Sequence, residues 1–385
     1  MKLSSRVEGI TPSGSIKIAE KITHLRNNGK SIIGLNVGEP DFSSHENIIQ
    51  ETKEALNNGK TRYSLVSGET DLRKEIISYY NDKFSTNFSY ENVLVGNGSK
   101  QVIYNAFQAL LNEGDEVIIP IPYWVTIPES VKLAGGKNVF VAVKDNFHLD
   151  IDAIKAAITT KTKVIYINTP NNPSGICYSK EEILELEKIL IDNDIYLLSD
   201  EAYEALVYED EFVSPSAVSQ ELAKRTICIQ SFSKTFCMTG FRLGYMIAPK
   251  EFINNVSSFQ GHLCGNVSPF SQYGAIGALK AKDLILSPLV QTMRKRRDLS
   301  VELFKELFDF TKPSGAFYLF LNIDKYIESG KVKDSTEMVE LLIEEAGVAL
   351  VPGKFFGMDN YIRLAYTAHS DEIKRAFNNI KKVLS

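Results

Sequence analysis

Cysteine is scarce. Cys177, Cys228, Cys237 and Cys264 are the only four in 385 residues. No pair has CxxC spacing, and His262 near Cys264 is a lone pairing. That pattern argues against a disulfide framework and a zinc site, so free thiols in a reducing compartment and no metal are expected. The opening MKLSSRVEGITPSGS lacks the apolar core of a secretory signal. No apolar run approaches the ~20 residues that span a bilayer. A cytoplasmic protein is therefore expected. There is no basic surplus either. Lys and Arg number 43 against 48 Asp and Glu, for a net charge of −5. Nucleic acid and anionic membrane are not expected partners, although a small anion can still bind in a local basic pocket. Repeats of fixed period and low-complexity linkers are also lacking.

The chain does have an ordinary globular balance, 44% apolar and 24% charged, with length enough for a large core or two domains. Alternation dominates it. Strand candidates recur at Val93–Val95, Val117–Ile121, Val139–Val143, Val164–Ile167, Tyr196–Leu198, Ile227–Gln230 and Leu243–Ile247, with helical patterns between many of them. Ser179 and Glu182 form a capping box ahead of Ile183, Leu186 and Leu190. Residues 99–111 read as a helix that stops near Gly114. These features predict an α/β large domain, with a mainly parallel seven-stranded sheet between helices.

From about Ile285 the texture changes. Leu299, Leu303 and Leu307, with Phe304 and Phe308, predict a long amphipathic helix. The charges of Arg294–Arg297 are expected on its solvated face. A strand-like GAFYLFLNI follows, then a helix opened by Asp334 and Glu337 and closed at Gly347, then a final helix after His369. The expected division is an N-terminal segment 1–45 packing with a smaller α+β domain 286–385, and a large domain 46–285.

Polar residues cluster just after predicted strands: Gly98–Ser99–Lys100, Tyr123–Trp124, Asn171–Asn172, Asp200 with Tyr203, and Ser231–Ser233–Lys234. In a parallel sheet the strand carboxyl ends share one edge, and ligands bind there. Scattered positions should thus converge on one cleft. Gly98–Ser99–Lys100 opens a helix whose free N–H groups and dipole suit a phosphate. Asp200 ends an apolar strand, where a carboxylate is costly without a cation. It can serve a magnesium ion as easily as a heterocyclic N–H⁺. Lys234, near Arg242, can be a solvated charge or an amine nucleophile of lowered pKa.

SFSKTFCMTGFRLGY (231–245) resembles the SxSKxxxxxGxRxG signature of aspartate aminotransferases of the class I/II, pyridoxal 5′-phosphate (PLP) fold type I family. NVGEPDF (36–42), GKTRYS (59–64), NGSKQ (97–101), PYW (122–124), TPNNPSG (169–175), SDEAY (199–203), SGAFYLF (314–320) and YIRLAY (361–366) continue the pattern in family order. The resemblance covers nearly the whole chain. It implies that Lys234 holds PLP as a Schiff base and then acts as general base, with Asp200 on the pyridinium nitrogen. Tyr203 and Asn172 would bond the ring's phenolic oxygen, and Trp124 would stack on the ring. The backbone at Ser99 and Lys100, with Ser231 and Arg242, would hold the phosphate, and Gly98 and Ser233 would also bind the cofactor. Tyr63 would reach the phosphate of a neighbouring subunit, implying a homodimer. Arg363 would fork onto the substrate α-carboxylate, helped by the backbone of Gly38 and by Asn172, and Trp124 would also contact the substrate. Lys100, with Ser13 and Ser15, looks placed for an acidic side chain.

The reaction implied is ping-pong transfer of an amino group from aspartate or glutamate to 2-oxoglutarate or oxaloacetate. An aromatic or prephenate-type aminotransferase, or a PLP-dependent lyase, would need the same lysine and aspartate. A regulator with an added DNA-binding module is not expected, because the family match starts within the first fifteen residues and runs nearly to Ser385. Phe241 and Cys237 depart from the commonest pattern, where tryptophan and a small residue are frequent. The segment His262–Gly274 matches the best-known branch poorly, and would bear on specificity if it lined the cleft. Asn171 is expected to shape the turn before Pro173.

Overall fold

A computed structural model describes residues 3–10, 14–27, 29–209 and 211–385, without the side chains of residues 5, 14–17, 19 and 26. Seven strands form the central sheet: β1 (Val93–Gly96), β2 (Glu116–Pro120), β3 (Lys137–Val141), β4 (Thr162–Asn168), β5 (Tyr196–Asp200), β6 (Thr226–Ser231) and β7 (Gly244–Ile247). Their order is β1-β7-β6-β5-β4-β2-β3. Neighbours pair in parallel except β7, which runs antiparallel to both β1 and β6. The expected mainly parallel sheet is present. The reversal of β7 follows from its short link to β6: residues 232–243 hold no helix long enough for a parallel crossover.

Alternation along each strand covers both faces. Leu94, Val164 and Tyr166 pack with Val102, Phe107 and Ile253 on one side. Val93 and Val95 pack with Ile76 and Ile276 on the other, and Ile165 and Ile167 with Ile183 and Leu186. Each such aliphatic side chain contributes about 1.5–3 kcal/mol on burial. The helix Lys180–Asn193 begins at the expected box. The Ser179 hydroxyl accepts from Glu182 N, and the Glu182 carboxylate accepts from Ser179 N.

The helix Lys282–Phe304 leads to a second, antiparallel sheet of β8 (Tyr318–Asn322), β9 (Val351–Pro352) and β10 (Tyr361–Ala365), in the order β9-β10-β8. Ile33–Gly34 pairs in parallel with Val348–Ala349, and Ile18 and Ile22 share a core with Phe377 and Ile380. The chain's first part thus packs with its last. Asp334 caps the helix Ser335–Leu341 by accepting from Thr336 N and Glu337 N, and a left-handed Gly347 closes the turn that follows.

Two expectations for the long helix need correction. It ends at Phe304, so Leu307 and Phe308 are buried in the tight turn beyond it. Within Arg294–Arg297, only Arg294 and Lys295 face solvent; Arg296 and Arg297 are buried. They lie on the stripe of Leu289, Met293, Ser300 and Phe304, and each meets a carboxylate: Arg296 with Asp41, Arg297 with Glu209 and Asp298. No described helix is long and apolar enough to cross a membrane. Among the described residues, no disulfide joins Cys177, Cys228, Cys237 or Cys264.

Candidate active site

Strands β1, β2, β4, β5 and β6 all release the chain at one edge of the sheet, where the five polar clusters begin at the last strand residue or just after it. One cavity of about 160 Å³ there is lined by Ser99, Lys100, Trp124, Asn172, Asp200, Tyr203, Ser231, Ser233, Lys234 and Arg242. Arg242 precedes its strand instead of following one. It reaches this edge because β7 is reversed, so its beginning lies beside its neighbours' ends. Its backbone is left-handed (φ 56°), and Nη1 donates to Thr239 O at 2.9 Å.

Gly98 is required at the mouth of the helix Ser99–Leu110. Its φ is 81°, and a Cβ there would lie 2.6 Å from Arg242 Nη2. Gly244 has the same duty from the other side, since a Cβ would run into Ser99 N. The two glycines let an arginine, a helix N-terminus and the Ser231 hydroxyl surround one small volume. Helix N–H groups, their dipole and a guanidinium together suit a phosphate.

Asp200 is 3% exposed. Its carboxylate accepts from Ala202 N and the Tyr166 hydroxyl, both at 3.3 Å, and has no cation among the described residues. Burial pushes its pKa up to about 6. Such a group favours a ligand that brings a positive charge. Asn168, unanticipated, ties this floor together: its Nδ2 donates to Asp200 O at 2.9 Å and its Oδ1 accepts from Asn172 N at 2.7 Å. Asn171 accepts from Ser174 N and its hydroxyl, the expected turn-shaping role.

Lys234 donates from Nζ to Gly38 O at 2.8 Å. Burial lowers its pKa to about 8; Glu39 opposes that shift, while Arg363 and Arg242 add to it. A sizeable neutral fraction near pH 7–8 makes this amine a usable nucleophile and base. Gly38 must be glycine, because a Cβ would strike the Tyr318 hydroxyl.

Arg363, 7% exposed, enters from β10. Nη1 donates to Asn172 Oδ1 at 2.9 Å and Nη2 to Asn36 O at 2.8 Å, while the buried Nε has no partner among the described residues. The guanidinium lies over the rings of Tyr318 (4.5 Å) and Phe356 (5.0 Å). The Tyr203 hydroxyl, which also faces the cavity, shares a hydrogen bond with that of Tyr318 at 2.9 Å. Burial holds it a phenol. Lys100 is exposed as a whole residue, yet its ammonium lies over the Trp124 ring at 5.4 Å. Partial desolvation, then Arg242, lowers its pKa.

Tyr63 does not line the cavity; it is 99% exposed. Ser13, and the side chain of Ser15, lie outside the described residues. His262–Gly274 lines none of the described cleft, running instead from one helix end to the next start. Tyr166, Asn168, Thr239 and Tyr318 were missed. Tyr166 and Asn168 carry a sequence signal, a phenol and an amide within an otherwise apolar strand.

The whole chain resembles known proteins. Residues 30–380 match the family model described as aminotransferase class I and II. An aspartate aminotransferase of Bacillus subtilis is 38% identical over 99% of this chain and 98% of its own. A probable aspartate/prephenate aminotransferase of Aquifex aeolicus is 37% identical over the same shares. The solved aspartate aminotransferase of Thermus thermophilus with maleate superposes with a TM-score of 0.95 at 35% identity, covering 100% of both chains.

Proposed function

This chain belongs to the class I and II aminotransferases, and from that premise we propose that it moves the amino group of aspartate or glutamate to 2-oxoglutarate or oxaloacetate with PLP as cofactor. One observation carries the reading: a buried Asp200, without a cation among the described residues, and an amine of lowered pKa, Lys234, face one cavity beside a phosphate cradle.

The residues fit the cofactor. Ser99 N–H, Ser231 and Arg242 would hold its phosphate, in the volume that Gly98 leaves open. Asp200 would meet its ring nitrogen, and Trp124 would cover a ring face. When bound, PLP supplies an electron sink that lets the Cα–H bond of an amino acid break. Lys234 would hold the cofactor covalently and, once released, move the proton at Cα. Arg363 would orient the α-carboxylate, its unpartnered Nε offering the remaining donor of a fork. Asn172 keeps that fork aimed. Lys100 would pair with the distal carboxylate.

Tyr63, an aromatic side chain left in solvent, supports a homodimer in which each chain completes its neighbour's cofactor site. A cytoplasmic setting belongs to the same reading. A second observation favours an additional acceptor. A cavity of about 520 Å³ shares Lys100 and Arg242 with the site and is lined also by Ile10, Tyr104, Val125 and Leu133. It offers room for a ring-bearing oxo acid of the prephenate type, the second substrate in the Aquifex relative's name.

The test is a panel of amino donors and oxo acids on purified protein, with borohydride reduction and peptide mapping. Aspartate or glutamate should convert to its oxo acid in stoichiometric half-reactions, with the label on Lys234. Loss of CO₂ or of the donor's side-chain group without amino transfer would favour a decarboxylase or lyase. Label on another lysine would overturn the assignment.

A further inference from the structure

The segment 35–42 lies between the two sheets. One side is held by the C-terminal unit. Leu35 N donates to Ala349 O at 3.0 Å and Leu35 O accepts from Ala365 N at 2.8 Å. Asn36 O accepts from Arg363, and Val37 O accepts from the Thr367 hydroxyl at 3.1 Å. The other side rests on the large unit: Gly38 O on Lys234 Nζ, and Glu39 on the Thr239 hydroxyl.

Arg296 closes this strap. Its Nη1 and Nη2 fork onto the two oxygens of Asp41 at 2.7 and 2.8 Å, and Nη1 also donates to Thr367 O. The Arg296 side chain is 5% exposed, and its guanidinium lies over the Phe42 ring at 5.7 Å. A buried arginine with a planar fork fixes its carboxylate in angle as well as distance. Thr367 meets the strap at Val37 through its hydroxyl and meets Arg296 through its carbonyl. Strap, long helix and the chain after β10 are thereby one hydrogen-bonded body.

We propose that Arg296 is a positioning residue: by gripping Asp41 it makes the Gly38 carbonyl over Lys234 and the Arg363 guanidinium move together when an acid enters. This rests on the reading of Lys234 and Arg363 given above. Without the grip, Asn36 O and Gly38 O lose their fixed height, and Arg363 loses one of the two acceptors that aim it.

The test uses the full-length holoenzyme and four variants: Arg296→Met, Arg296→Lys, Asp41→Asn, and Arg296→Met with Asp41→Asn. Amide exchange of residues 35–42, maleate affinity, and KM against kcat for aspartate are compared. Arg296→Met should speed exchange in 35–42 at least about tenfold and weaken maleate about tenfold, with the central sheet unchanged and KM affected more than kcat. Asp41→Asn should do the same, and the double variant should add little, as for two halves of one interaction. Arg296→Lys should recover part of the affinity, since it keeps the charge and loses the fork. Exchange that rises equally throughout 318–365, unchanged maleate affinity, or single losses that simply add would each overturn the proposal. If Arg296→Met does not fold, Asp41→Asn carries the same outcomes from a partly exposed carboxylate. Wild-type protein that ignores maleate would defeat the dicarboxylate reading, while the exchange comparison would still decide the strap.

Discussion

Lys234 stands just past the end of β6, with parallel β5 on one side and the reversed β7 on the other. Arg363 stands in the middle of β10, paired across to Phe320 on one side and Val351 on the other. The first arrangement gathers residues from five strand ends, so reacting groups share one rigid edge. The second supplies a single side chain from a separate ladder, aimed by the carbonyl of Asn36 and the amide of Asn172. A site divided in this way can hold its chemistry fixed while its recognition group shifts. We propose that the unit carrying Arg363 closes toward the sheet on binding a dicarboxylate, which would exclude water from the cavity. Small-angle scattering with and without maleate should differ; identical profiles would count against closure.

The division is broken most severely from the side of the sheet. Lys234→Ala should lower turnover by about 10⁴-fold or more, because one amine serves as both covalent anchor and base. Maleate should still bind through Arg363. If turnover fell only about tenfold, another group would be doing the work at the sheet edge.

Breaking the ladder side should leave the opposite residue of function. Arg363→Lys keeps a charge and loses the fork. Its expected effect is a KM for aspartate raised between about 10² and 10³-fold, from the loss of charge-assisted hydrogen bonds worth about 1.5–3 kcal/mol each. Borohydride should label Lys234 as before. A labelling failure in this variant would mean that the two regions are not separable.

Asp200 sharpens the comparison through pH. Burial raises its pKa from 3.8 to about 6. In the cofactor-free protein, the folded chain keeps a proton between those values that the unfolded chain has released. The stabilising contribution is therefore full below pH 3.8 and lost as pH rises through about 6, a difference of about 3 kcal/mol. Asp200→Asn should be the more stable protein at pH 7 and should converge on wild type toward pH 4, measured by urea unfolding without cofactor. A wild type more stable than the variant at pH 7 would show that the chain itself supplies a cation.

Most of the sheet edge was legible because two signals met there. Short apolar runs located the strands, and polar clusters followed where parallel strands must stop. Arg242 was found by resemblance, but its approach from the start of a strand depends on the reversal of β7, which no run of residues announces. Arg296 and Arg297 read as solvated by their charge, yet their position on the helix decides otherwise. Both fall on the stripe of Leu289, Met293 and Phe304, and buried arginine is tolerated there only because distant carboxylates meet it. Asp41 lies 255 residues away from Arg296, so that pairing is a product of the fold. Tyr318 was seen only as part of a strand. Its contact with Tyr203 spans two sheets and has no local signature.

The smallest expected effect concerns Lys100, which belongs to the rigid edge yet is proposed to do the work of recognition. It opens the helix Ser99–Leu110, lies over Trp124, and lines both the small cavity and its larger neighbour. An ammonium in that position can meet the distal carboxylate of aspartate, and partial desolvation strengthens the pairing relative to water. Two positive charges, Lys100 and Arg242, already repel there, so an added carboxylate relieves both. Lys100→Ala should reduce kcat/KM for aspartate by roughly tenfold, about 1.4 kcal/mol, and leave phenylalanine little changed. Assaying both donors on one variant separates the roles. An equal loss would assign Lys100 to the cofactor or the helix start. A gain for phenylalanine with a loss for aspartate would point to the larger cavity as the place where a ring is received.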